Sequence, residues 1–179
     1  MEWYYQEGGE PDGEIAVKSV TLQDSRKDAG SGEQYHIYQV VTEKSPAGFP
    51  VAVVMQDGNW KVDWGNFAEF QGDHFDRFAK GEGDPKGTFH VLVRLTNFAP
   101  TREGFAAFRI DPPMPGRERY GFVAAGSELQ ERLNEHTAWG KPGQVLMRLQ
   151  RHDGKDGKDE KPWLEITGIQ MADWWSRSE

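Results

Sequence analysis

The residues of this chain that could carry chemistry are few, and each has an ordinary structural use that competes with it. His36 and Asp63 could form an acid/base pair, because a strand carboxylate beside an imidazole can move a proton. That requires adjacent strands and one cavity holding both side chains. Asp63 alternates away from Trp60, Val62 and Trp64, which suits a solvent-facing residue or a helix N-cap better. Asp73, His74 and Asp76 lie close together in GDHFD, where a third ligand could complete a metal site. On a helix, however, carboxylates at i and i+3 share a face while His74 sits about 100° away, so a solvated acidic face is the simpler reading and no metal is expected.

Phe105, Phe108, Arg109, Arg117, Arg119, Tyr120 and Phe122 interleave aromatic rings with cations. Such a groove can stack bases and neutralise phosphates. Alternating Phe on barrel strands is also how a core is filled, and a net charge of −8 with a pI near 5.2 opposes phosphate binding, so nucleic acid is not the expected ligand. Trp139, Trp163, Trp174 and Trp175 offer large stacking surfaces for a sugar or a peptide. Trp163 opens a strand and is expected to pack. Trp174 and Trp175 are adjacent, and a regular element cannot turn both toward one core. They, with Trp139, are therefore the expected contact with a protein partner, either another copy or another subunit. No GxGxxG, P-loop, HExxH or GxSxG occurs, so no cofactor is expected and catalysis has no positive signal.

The elements that would position these residues are easier to read. In 179 residues, seven Trp, ten Phe and five Tyr supply large core-forming groups despite a mean hydropathy of −0.77, which marks a globular chain. Cysteine is absent, which excludes disulfides and thiolate chemistry but selects no compartment. No apolar run approaches the roughly 18 residues a membrane helix needs. Three aromatics in Met1-Glu-Trp-Tyr-Tyr5 have little to pack on at a chain end, so the chain is expected to be part of a longer protein, with room upstream for a signal peptide or membrane anchor.

The clearest stretch is VAVVMQDGNWKVDW, residues 51 to 64. Asp57-Gly58 is a strong type I′ hairpin signal, and the register it sets puts Val51, Val53, Met55, Trp60, Val62 and Trp64 on one face. Before it, residues 14–22 and 34–42 read as strands, with a bulge near Lys18-Ser19 and a polar loop over 23–33. Four strands in an antiparallel meander are expected. After it, Trp64, Phe67, Ala68, Phe75 and Phe78 share one side of a helical wheel, with Gly72 placed to kink or divide that helix and Asn66 or Asp63 to cap it. The glycine-rich run 81–87 reads as a linker. Beyond it come three strands, a helix opened by Ser127 and Gln130 at capping-box spacing, and two more strands. That is the chain order of a five-stranded OB-type barrel. The expected class is α+β, with a curved meander and helix over 1–80 and a barrel over 88–179.

Two resemblances accompany this reading. The hairpins over 34–42 and 51–64, ending in Trp60-Lys-Val-Asp-Trp64, resemble the closing hairpins of an NTF2-like or cystatin-like cone, which implies a ligand pocket where His36 and Asp63 could act as an enzyme pair. Residues 88–171 resemble an OB-like domain by strand order and by the LEITGI strand, which implies binding of single-stranded nucleic acid or oligosaccharide. The joined pattern is similar to uncharacterised bacterial proteins and so implies no activity. The leading expectation is a non-catalytic binding or assembly module.

Overall fold

The computed structural model describes residues 15–27, 34–137, 142–154 and 162–171. The fold is α+β, and the chain forms two compact units, Met1–Gly72 and Asp73–Glu179. No helix among the described residues is long and apolar enough to cross a membrane.

The first unit holds a four-stranded antiparallel sheet in chain order: β1 (Val17–Lys27), β2 (Gln34–Thr42), β3 (Phe49–Gln56) and β4 (Asn59–Val62). Asp57 and Gly58 both have positive φ, 52° and 76°, and Met55 faces Trp60 while Val53 faces Val62, as the turn chemistry requires. β1 carries a register shift between Val17 and Ser19 and another between Leu22 and Asp24. It also runs on through residues expected to form a loop. Ser25, Arg26 and Lys27 pair with His36, Tyr35 and Gln34, and an edge strand tolerates such a polar run because water can reach it.

Burial in the hairpin departs from the expected pattern. Val51 is buried, but so are Ala52 and Val54 on the opposite face, and all four residues of β4 are exposed. Strand alternation fixes which residues share a face, whereas burial depends on what the rest of the chain places over it. Helix α1 (Trp64–Gln71) packs on β3, with Phe67 6.0 Å from Phe49 between ring centres. Asp63 caps it, accepting hydrogen bonds from the backbone N–H groups of Gly65 and Asn66.

The long aromatic helix is two helices. Gly72 ends α1, Asp73 adopts a left-handed φ of 51°, and α2 (His74–Ala79) starts anew in the second unit. Phe75 and Phe78 thus serve the core of the barrel. The barrel comprises β5 (Lys86–Arg94), β6 (Phe105–Asp111), β7 (Arg119–Ala124), β8 (Gly143–His152) and β9 (Trp163–Met171), with α3 (Glu128–His136) between β7 and β8. It closes in the order β5-β6-β7-β9-β8, and only β7 and β9 run parallel. Val91, Val93, Phe108, Ile110, Val145, Met147 and Ile166 point inward, joined by Leu133 of α3. Ser127 caps α3 by accepting from the N–H of Gln130, whose side-chain oxygen accepts in turn from the N–H of Gly126.

Candidate ligand face of the barrel

The outer surface of β6 and β7 is the expected groove, and the register shows what each residue does there. Arg109 pairs with Tyr120 and Ala107 with Phe122, so these four point outward. Phe108 points the other way and is fully buried, which removes it from any groove. The arginines are engaged. Arg109 donates to Asp111 at 3.1 Å and to Glu118 at 3.2 Å. Arg117 holds Asp73 through both nitrogens of its fork, at 2.8 and 2.5 Å, and Arg119 reaches the buried Asp76 at 2.5 Å. Lys80 also contacts Asp76. The hydrogen bonds to Asp73 raise the Arg117 pKa above the ordinary arginine value, outweighing partial desolvation, with the charges of Asp73 and Asp76 adding to the effect.

These pairs fasten α2 to β7 and the turn before it. The acidic side of GDHFD is thus a set of counter-charges for arginines more than 40 residues away. The other end of α2 is held by Arg151, which is buried at the end of β8. It donates to the carbonyls of Phe78, Glu82 and Gly83 and to Asp153, and its guanidinium lies 5.2 Å from the Phe78 ring centre. A cation at a helix C-terminus meets carbonyls that lack intrahelical partners. Nothing in the sequence singles out Arg151.

With Arg109, Arg117 and Arg119 spent on carboxylates, the rest of the face is largely aromatic. Tyr120 and Phe122 lie on β7, and Trp163 begins β9 beside them. Phe105 and Phe122 meet the Trp163 indole edge-on at 5.3 and 5.9 Å. His152 stacks nearly parallel to it at 4.1 Å, and the Arg102 guanidinium lies 4.0 Å from the ring centre. His152 also bonds Glu165 at 2.7 Å. These contacts hold the indole in one orientation. An open pocket of about 190 Å³ lies alongside, lined by Pro100, Arg119, Tyr120, Phe122, Trp163 and Leu164 among others. The loop from β5 to β6 leans over Tyr120, whose hydroxyl donates to the Phe98 carbonyl at 3.4 Å. Phe98 itself is 90% exposed. Trp163 packs, as its place at the start of a strand leads one to expect, whereas sequence reasoning misses Phe98 and Arg102. The available signal is an aromatic residue in the turn LTNFAP, where no core is at hand.

The remaining candidates fall elsewhere. His36 stacks on Trp60 at 4.3 Å, and its Nδ1 is buried without a hydrogen bond. His36 pairs with Val53, which pairs with Val62, whereas Asp63 follows Val62 and so takes the opposite face of the sheet. Asp63 is occupied in capping α1, and the acid/base pair is not formed. Trp139, Trp174 and Trp175 lie outside the described residues. Among the described residues there is no cluster of three metal-ligating side chains. No protein-family model matches this chain, and neither a curated protein nor a solved structure matches it.

Proposed function

We propose that the protein is a non-catalytic binding module whose ligand surface is the barrel face bearing Phe98, Tyr120 and Trp163, and that its ligand is a neutral oligosaccharide. The observation that carries this reading is the exposure of Phe98 beside the Tyr120 and Trp163 pocket, on a face where Arg109, Arg117 and Arg119 are already paired with carboxylates. A phosphate backbone draws its affinity from cations free to replace counterions. Arg109, Arg117 and Arg119 are committed to acidic partners instead. The Phe98 and Tyr120 rings suit the apolar side of a sugar ring, while Trp163, its two faces taken by His152 and Arg102, forms the wall of the pocket, and the Tyr120 hydroxyl stands near enough to serve a sugar hydroxyl.

Calorimetry with neutral cello-, xylo-, malto- and chito-oligosaccharides, with oligothymidylate as the charged comparator, tests this. One neutral series is expected to bind, with little dependence on salt. Phe98→Ala and Tyr120→Ala are each expected to weaken it about tenfold, the equivalent of roughly 1.4 kcal/mol. Tight oligothymidylate binding with a steep salt slope, or no heat from any sugar at millimolar concentration, would defeat the reading.

A further inference from the structure

We propose that the outer face of β5, β8 and β9 holds a site for a phosphoryl group, free or carried by a small molecule, built around Arg148 and Lys86. The site shares no residue with the pocket beside Tyr120 and Trp163, and it does not rest on the oligosaccharide reading. Phe89 and Val91 of β5 and Met147 and Leu149 of β8 turn into the core, so the residues alternating with them turn outward. Register sets Lys86 opposite Gln150 and Thr88 opposite Arg148. The two cations therefore lie on one diagonal of this block, about 7–8 Å apart at the backbone and within reach of one bound group. Two neutral hydrogen-bonding side chains take the other diagonal. An open groove of about 360 Å³ runs over them, with Thr167 of β9 in its lining.

β9 is shaped to receive the guanidinium. Arg148 pairs with Gly168 and Leu149 with Ile166, so Thr167 is the extra residue of a bulge. Its hydroxyl fastens that bulge by donating to the Arg148 carbonyl at 3.2 Å. A Cβ on Gly168 would lie 2.5 Å from Nη2 of Arg148 and 3.0 Å from Cζ, so only glycine lets the guanidinium rest on the backbone there. The donors of that guanidinium are unspent. The other arginines of the barrel strands, Arg94, Arg109, Arg119 and Arg151, each lie against a carboxylate, whereas among the described residues the Arg148 guanidinium and the Lys86 ammonium meet none. Nearby carboxylates are otherwise engaged. Asp84 accepts from the Lys86 backbone N–H, and Glu165, opposite Gln150, bonds His152.

Two like charges this close, with no counter-charge, repel each other, and a bound anion relieves them. A phosphoryl group carries a charge of about −1.5 to −2 near pH 7, which matches both cations, and its oxygens suit the fork of an arginine together with an ammonium and a hydroxyl. A carboxylate matches only one of them. The net charge of −8 opposes nucleic acid or an anionic surface, which needs cations spread along it, while a compact ion needs only this block. The groove is of the size of the smaller ligand sites.

Calorimetry on the full chain at about 50 mM salt, where screening is modest, tests the site with inorganic phosphate, glycerol 3-phosphate, acetate and oligothymidylate. Phosphate and its ester are expected to bind with a Kd on the order of 0.1–1 mM, and acetate at least about tenfold more weakly. Preference for the ester assigns the groove to a phosphorylated metabolite and equal affinity to the free ion, and either result supports a phosphoryl site. Arg148→Gln should weaken binding about tenfold and Lys86→Gln about fivefold. Both residues are exposed, so circular dichroism should stay unchanged. Lys44→Gln, which removes an exposed charge from the first unit, should leave binding as it is. Gly168→Ala should weaken it with no charge removed, a loss that net charge alone does not produce. No heat from phosphate or its ester at about 10 mM, acetate that binds as well as phosphate, oligothymidylate binding that disappears in Arg148→Gln, or an Arg148→Gln variant that binds phosphate like the wild type would each overturn the proposal.

Discussion

Gly121 shows how tightly the barrel interior is filled. A Cβ at this position would lie 2.8 Å from Cγ1 of Ile166 and 3.0 Å from Cδ1 of Ile110, both in the core. Gly121→Ala must therefore displace the inner wall. We expect a loss of about 1–3 kcal/mol and a Tm lower by roughly 5–15 °C, read by thermal circular dichroism. An unchanged Tm would mean that the interior has slack. Individual residues were the least legible part of the sequence. Alternation in FAAFRI assigns Phe108 and Ile110 to one side and Arg109 to the other, but it does not say which side is inside. Arg151 is harder still, because its burial depends on carbonyls up to 73 positions earlier. In the sequence MRLQRH it looks like any arginine.

At the scale of elements, α2 depends on ion pairs that differ greatly in their surroundings. Asp76 is buried and serves Arg119 and Lys80, whereas Asp73 and Arg117 are each about one-third exposed. Asp76→Asn should therefore cost about 3 kcal/mol, since it strands a partly buried arginine, and Asp73→Asn less than about 1 kcal/mol. Urea denaturation separates the two, and equal effects would refute this ranking. The raised pKa of Arg117 adds a sign: its contribution is complete below the ordinary arginine pKa and is lost only as pH rises past the folded value. Mild alkali therefore does not release the clasp from the arginine side. Much of this scale was legible. Asp57-Gly58 fixed a register, and Asp63 and Ser127 cap the helices for which their chemistry suits them. The division at Gly72 was only half visible. A helical wheel keeps its phase from Trp64 to Phe78 whether or not Asp73 leaves the helix, so periodicity cannot report the break that sends Phe75 and Phe78 into the barrel.

Across the whole molecule, the two units differ in how far apart their paired strands lie in the chain. Every pairing in the sheet joins consecutive strands, whereas the barrel closes by joining Lys86 to Gln150 and Gly121 to Leu164. Distant pairings must overcome loop-closure entropy before their contacts form. Refolding followed by stopped-flow fluorescence should show two phases, the slower one lengthened by Gly121→Ala. A single phase unaffected by that change would count against it. The number and order of barrel strands could be read from the chain, because each carries its own alternation. The parallel contact of β7 with β9 could not, since no local pattern encodes which strands meet. There is also a consequence for the chain as it is made. The sheet is complete at Val62, while the barrel cannot close until β9 has left the ribosome. A nascent chain thus presents Val20, Leu22, Trp60 and Val62 while the barrel is still being synthesised.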